Sequence, residues 1–361
     1  MNIPPPDEPI SRPALPQRRG GAEDSQSKAQ DKASVPPSSA LPFSAPLRLC
    51  GDIGGTKTLL GLGQGTELLV DHRYANADFE DFPGLLAAFF KETRADPSQI
   101  SGGCLALAGP IADDGRSARL TNLPWDIDAA ALSHRFGLPA LKLANDFAAA
   151  AQGAVAAAPT QRITLQAGQP LAAAPCLVVG AGTGLGMAMV LPQGGSWRVV
   201  AGEGGHAAFA PADEQQAELW AFLRSRHGRV TWERVVSGPG LCAIHEFVAG
   251  ACLTAEEISR RALGDAKCAE RRSLDLFLAA YGAFAGDMGL ACLARGGVFL
   301  AGGIAGKLLP VLQQSPFLAA FNAKAEHAAI AARLPLHVAT DPLLGLRGAL
   351  LLAAAGDPVS S

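Results

Sequence analysis

Apolar and polar positions along the chain fall into two passes of one pattern. In the first, Leu47–Cys50, Leu59–Leu62 and Glu67–Tyr74 are short runs separated by glycine-rich or polar turns, which predicts an antiparallel meander of three strands. Phe82–Thr93 then carries apolar residues at helical spacing. Gly103–Ala108 and Leu141–Leu143 read as buried strands, and Asp146–Ala158 as an alanine-rich helix. The second pass starts at Pro175: Cys176–Val179, a glycine turn at 180–186, Met187–Leu191 and Trp197–Val200 again give strand, turn, strand, strand. Helices are predicted over Glu214–Arg226, Pro239–Val248, Ala255–Leu263 and Ser273–Arg295. The last of these has Leu274, Phe277, Leu278, Tyr281, Ala285 and Met288 on one face. Val298–Ala301 is a short apolar strand that ends in Gly302-Gly303 at a helix start. Two copies of a strand–glycine turn–strand unit, roughly 125 residues apart, point to a duplicated domain rather than a solenoid.

Composition sharpens this picture. Of 26 prolines, ten precede Leu47, whereas all but two of the 41 glycines follow it. Residues 1–46 are rich in Pro, Ser, Gln and charge, so they bury too little apolar surface to offset their ordering entropy, and a disordered leader is expected. The body is glycine-rich, and charged residues make up only 17% of the chain. A net charge of −3 with no basic stripe gives no reason to expect nucleic acid or an anionic membrane as partner. No run of 18 apolar residues predicts a membrane span. Arg18-Arg19 is followed by polar residues rather than by the apolar core of a signal peptide. The seven cysteines are scattered, odd in number and never form CxxC, which favours free thiols in a reducing cytoplasm over disulfides or zinc.

Candidate chemistry concentrates in the glycine turns. The segment from Gly51 misses a P-loop because Thr56 stands before Lys57 where glycine is required, and the following residues are strand-like. The segment from Gly180 misses a dinucleotide fingerprint because residue 185 is leucine. Both turns still suit phosphate, because consecutive glycines bring backbone N–H groups close to an anion. Thr56, Thr58 and Thr183 add hydroxyls, and Asp52 at a strand end suits Mg²⁺ held through water. Taken singly, each turn is equally a tight hairpin, Asn145-Asp146 a helix cap, and Glu203 with His206 a solvated turn.

The segment Asp52-Ile53-Gly54-Gly55-Thr56-Lys57-Thr58 resembles the first phosphate motif of sugar kinases in the actin-like ATPase superfamily. Residues 180–186 resemble the second, and Ala301-Gly302-Gly303-Ile304 the adenosine motif. Leu143-Ala144-Asn145-Asp146-Phe147, Gly202-Glu203-Gly204-Gly205-His206 and the 233–240 segment Glu-Arg-Val-Val-Ser-Gly-Pro-Gly are similar to the bacterial glucokinase family. Six motifs in order span about 48–350. Thr121-Asn122-Leu123-Pro124-Trp125 also resembles a sugar-side segment of that family. The ROK family pairs a similar Glu-x-Gly-His with a zinc-binding cysteine cluster, but Ala207–Gln216 contains no cysteine, so the resemblance is to the non-ROK group. The Lys57-Thr58 pair, common in ROK proteins, does not discriminate.

The resemblance implies an α/β, two-lobed actin-like ATPase (ribonuclease H-like) fold, with duplicated mixed-sheet domains and a cleft between them. Its small domain would comprise 47–156 plus 343–357, and its large domain 157–342. It implies ATP and Mg²⁺ as cofactors, Asp146 as catalytic base, and Asn145, Glu203, His206 and Glu233 as sugar ligands. Asp52, Gly54, Gly55, Thr56, Lys57, Thr58, Gly182, Thr183, Gly184, Gly302 and Gly303 would face the nucleotide. The expected activity is phosphorylation of glucose at its 6-hydroxyl, in the cytoplasm, with a homodimer as the family's expectation. A kinase for fructose, mannose or an N-acetyl sugar, a kinase using another phosphate donor, and a sugar-sensing regulator are the alternatives. The regulator would need a DNA-binding module, and 1–46 is too polar and proline-rich for one.

Overall fold

The computed structural model describes residues 45–120, 123–139, 141–194 and 196–355. The leader up to residue 44, Thr121, Asn122 and the end of the proposed 343–357 segment lie outside the described residues.

The first pass builds a five-stranded sheet. Strands β1 (Leu47–Ile53), β2 (Lys57–Gln64) and β3 (Glu67–Ala75) form the expected antiparallel meander. Helix α1 (Phe82–Thr93) returns the chain to β4 (Ile100–Leu107), which runs parallel to β1. A small hairpin, β5 (Ser117–Arg119) with β6 (Asp126–Asp128), and helix α2 (Ala129–Phe136) precede β7 (Leu141–Asn145), which is parallel to β4. The order is β3-β2-β1-β4-β7. α3 (Asp146–Ala156) then leads out of this sheet.

The second pass repeats that geometry. β8 (Arg162–Gln166) is followed by β9 (Cys176–Ala181), β10 (Leu185–Gln193) and β11 (Ser196–Gly202), a second antiparallel meander. Four helices follow: α4 (Glu214–His227), α5 (Gly238–Ala249), α6 (Ala255–Gly264) and α7 (Ala269–Ala291). β12 (Gly297–Ala301) lies parallel to β9, as β4 does to β1. Helices α8 (Gly303–Leu312), α9 (Phe317–Asn322) and α10 (Ala328–Ala331) lead to β13 (Leu336–Ala339), and α11 (Leu344–Ala354) follows. The order β11-β10-β9-β12-β13-β8 matches the first sheet strand for strand through its first five members.

The sequence pattern gives most of the long elements but not α11, which is nearly uniformly apolar, nor β5, β6, β8, β13, α2, α9 and α10, which are too short to carry a clear period. α7 is apolar enough and, at 23 residues, long enough to cross a membrane. Here, however, it is the core of the largest hydrophobic cluster, where Leu274, Phe277, Leu278, Tyr281 and Phe284 are buried against the second sheet and its helices. Its apolar face wraps nearly all round, which is the pattern of an interior helix.

Helices α3 and α11 cross where small residues meet. A side chain at Gly348 would collide with the Ala149 carbonyl, and one at Gly153 with the Leu344 carbonyl. Glycine at these two positions therefore sets how closely the helices approach. Behind them, Thr340 donates its backbone N–H to Gln161 O at 2.9 Å, tying the segment that follows α3 to the one that precedes α11. None of the seven cysteines forms a disulfide.

Candidate active site

The parallel strands of both sheets end at a common cleft. Asp52 is the penultimate residue of β1, Asn145 ends β7 and Asp146 opens α3. Gly302-Gly303 follows β12 at the start of α8. Two adjoining cavities occupy the cleft. One of about 710 Å³ is walled by Gly54, Gly55, Gly109, Asn145, Asp146, Gly182, Thr183, Gly184, Glu203, Glu233 and Gly302. The other, about 400 Å³, is walled by Asp52, Asp146, Gly302, Gly303, Thr340, Asp341 and Gly345. Asp146 and Phe147 belong to both walls.

Asn145 caps α3: its Oδ1 accepts from Phe147 N–H at 3.0 Å and from Ala148 N–H at 3.2 Å. That leaves the Asn145 amide nitrogen as a donor toward the cavity. Asp146 Oδ1 accepts from Phe147 N–H at 2.7 Å. The cap and the cavity role expected of this pair are compatible, because each uses a different atom. Burial raises the Asp146 carboxyl above the ordinary aspartate range, and its bond to the helix N–H holds part of that rise back. Asp52 is pushed up to about 6, first by burial and then by the Asp146 charge. Two neighbouring carboxylates in a poorly solvated site resist double ionisation.

The first glycine turn is fixed from beneath. Gly54 donates its N–H to Lys57 O at 3.0 Å to close the hairpin. Thr58 is fully buried and donates its hydroxyl to Asn76 Oδ1 at 2.8 Å, while Asn76 Nδ2 donates to Gly54 O at 2.8 Å. Thr58, expected to face the nucleotide, therefore supports the turn from its buried side, since its position in β2 points it into the first core. Thr56 and Lys57 are exposed at the tip and belong to neither cavity wall. Asn76 went unnoticed because it lies 18 residues from Thr58, in a short turn with no periodicity.

The second turn is fixed from its side. Glu233 Oε2 accepts from Leu185 N–H at 2.9 Å, and Gly238 donates its N–H to Gly182 O at 2.8 Å. The glycines of this segment serve two purposes. A Cβ at Gly182 would meet nothing within 4 Å, which leaves open space for a ligand. A Cβ at Gly186 would lie 2.5 Å from the Phe147 ring, so this glycine instead admits a side chain neighbouring Asp146. The motif Leu143–Phe147 includes this ring, but the sequence alone gives it no packing partner.

Glu203 and His206 stand at the rim. Their side chains are 88% and 58% exposed, with His206 Nε2 3.7 Å from Glu203 Oε2, and only Glu203 lines a cavity. Gly303 opens on free space, and Gly302 has φ +84°, a left-handed conformation that favours glycine. Of the sugar-side segment, Trp125 is buried in the first core, while Thr121 and Asn122 fall outside the described residues. Among the described residues no three His, Cys, Asp or Glu side chains cluster as a metal site. Asp52 and Asp146 nonetheless share a cavity wall, on which Asp341 is already ion-paired with Arg347 at 2.8 Å. The oxygens of Asp52 and Asp146 suit a hard cation that arrives with phosphate ligands of its own.

Comparison with known proteins agrees with this arrangement. The family model described as Glucokinase matches residues 49–356. A glucokinase of Trichormus variabilis is 36% identical over 341 residues, covering 85% of this chain and 99% of that protein. Among solved structures, glucokinase from an Antarctic psychrotroph is 30% identical with a TM-score of 0.78, covering 85% of this chain and 98% of the other. Glucokinase from Balamuthia mandrillaris in complex with glucose is 26% identical with a TM-score of 0.68, covering 85% and 93%. The chain belongs to the glucokinase family and has the actin-like ATPase fold of its sugar kinases.

Proposed function

We propose that this glucokinase-family enzyme transfers the γ-phosphoryl group of ATP to the 6-hydroxyl of glucose, giving glucose 6-phosphate. The observation that carries the reading is Asp146, a half-buried carboxylate at a helix start and on the shared wall of the two cavities, close to both glycine turns. The similarity to the glucose complex of the Balamuthia enzyme supports glucose as the acceptor.

In this reading Asp146 takes the proton of the attacking 6-hydroxyl. Its Oδ1 is held by the Phe147 N–H, leaving Oδ2 for substrate. Burial raises its pKa above that of an ordinary aspartate, which makes it a stronger base, and such help is worth roughly 10²–10⁴-fold. Asn145, Glu203 and Glu233 bind sugar hydroxyls. Donor and acceptor groups of fixed geometry discriminate well, because an analogue lacking one hydroxyl leaves a buried group unpaired. Gly54-Gly55 and Gly182-Thr183-Gly184 present N–H groups to the phosphates, with Gly302-Gly303 beside the adenosine. Thr56 and Lys57, at the exposed tip of the first turn, reach the nucleotide from the edge. Asp52 would hold Mg²⁺ through water, and the ion would neutralise charge on the transferring phosphoryl group. The rim position of Glu203 and His206 means that they engage the sugar as the cleft closes, which also excludes water. The lobes are taken as 47–156 with 343–357, and 157–342. A homodimer in the cytoplasm completes the proposal.

The test is a coupled assay of glucose, fructose, mannose and N-acetylglucosamine, each with ATP, ADP or polyphosphate. Glucose with ATP is expected to give the highest kcat/KM. Equal rates on several sugars would remove the glucose-specific reading, and activity only with polyphosphate would remove ATP.

A further inference from the structure

One carboxylate touches the nucleotide turn from a segment anchored to the sugar-side turn. Glu233 Oε2 accepts from Leu185 N–H at 2.9 Å, and a Cβ at Gly184 would lie only 2.7 Å from that oxygen. The Glu233 backbone N–H donates to Gly205 O at 2.9 Å, and that of Trp232 to Ala207 O at 3.0 Å. Ser237 donates its hydroxyl to Glu233 O at 2.7 Å. Gly238 closes the brace on Gly182 O. Residues 232–238 thus hydrogen-bond to the end of the sugar-side turn on one side and to the 182–185 turn on the other.

We propose that Glu233 is a positioning residue for the nucleotide turn, coupling hexose binding to nucleotide binding. A backbone N–H bonded to a carboxylate is stronger than one bonded to a neutral acceptor, so Oε2 sets where the turn sits. The second oxygen, Oε1, remains for a sugar hydroxyl. A sugar that orders this side chain also orders the turn, and linkage requires the nucleotide to tighten sugar binding by the same factor. The inference rests on the reading that the cleft takes a hexose and ATP.

Titration calorimetry tests it on the full chain, using a non-hydrolysable ATP analogue with Mg²⁺, with and without glucose. Without glucose, Glu233→Ala is expected to bind the analogue about tenfold more weakly than the wild type, the size of effect that loss of one charge-assisted bond gives. Glu233→Gln should fall between the two, about threefold weaker than the wild type, because its amide oxygen still accepts the Leu185 N–H but without the charge. Glucose should tighten the analogue on the wild type and not on Glu233→Ala. Should Glu233→Ala fail to fold, Gly184→Ala crowds the same carboxylate from the turn side and should weaken the analogue likewise. If glucose-free Glu233→Ala (or Gly184→Ala in its place) matches the wild type, Glu233 serves the sugar alone and the proposal falls. If the wild type binds neither glucose nor the analogue, the functional reading falls and takes the proposal with it.

Discussion

The two glycine turns sit at equivalent places in two sheets of the same strand order, yet they are held by different means. The 54–57 turn is locked by neutral groups of its own meander, through Thr58 and Asn76, all within 22 residues. The 182–184 turn is held by Glu233 and Gly238, which arrive about fifty residues later beside the 203–207 turn. The first is a preformed cradle built by local sequence. The second is shaped by a segment that also touches the turn proposed to bind sugar. Duplication kept the topology while the supports diverged, so equivalent position does not imply equivalent response to substrate.

The acid side of this contrast gives the largest expected effect. Asp146→Asn should lower kcat by at least about 10²-fold while glucose affinity by calorimetry changes little. Near-normal turnover would remove Asp146 from the role of base. Next comes the first turn. Asn76→Ala strands the Thr58 hydroxyl and the Gly54 carbonyl, and denaturant unfolding should show a loss of about 2 kcal/mol. Affinity for a non-hydrolysable ATP analogue should fall equally with or without bound sugar, because this turn takes its support from its own meander. A glucose-dependent change would erase the distinction between the turns.

The acidic pair gives a pH signature. Because the Asp52 carboxyl is pushed up to about 6 by burial and by Asp146, the empty enzyme carries a proton on the pair at mildly acid pH. The kcat/KM profile should therefore fall as pH drops through about 6. In Asp52→Asn the residual activity should hold to lower pH, since the carboxyl that takes up a proton near 6 is gone. The smallest effect is on stability. A carboxyl whose pKa is raised in the fold favours the folded state most below its unfolded value of 3.8, and that contribution is lost as pH rises through about 6. Asp52→Asn should accordingly melt about 2 °C above the wild type at pH 8, an advantage that shrinks toward pH 5. A lower melting point at pH 8 would mean that the Asp52 charge is satisfied in the empty cleft.

Much of the framework was legible in the chain. Both meanders, α1, α5, α7 and the turns of the cleft follow from local periodicity and glycine placement, and six motifs in order identify the family. Periodicity is a property of neighbouring residues, so it survives in the sequence. Where the side chains in those motifs point was decided by tertiary structure. Thr58 turned inward because β2 packs that face on the first core, and Gly186 proved to be room for the Phe147 ring. Glu233 gained Leu185 as partner only when the 231–238 segment folded back across β10. The crossing of α3 and α11 depends on Gly153 and Gly348, far apart in the chain. Apart from the Thr58 position, each of these is a long-range contact fixed by packing, and no local pattern encodes it. The sequence therefore determined which groups this protein carries to its cleft, and the fold decided which of them meet the ligand and which hold the others in place.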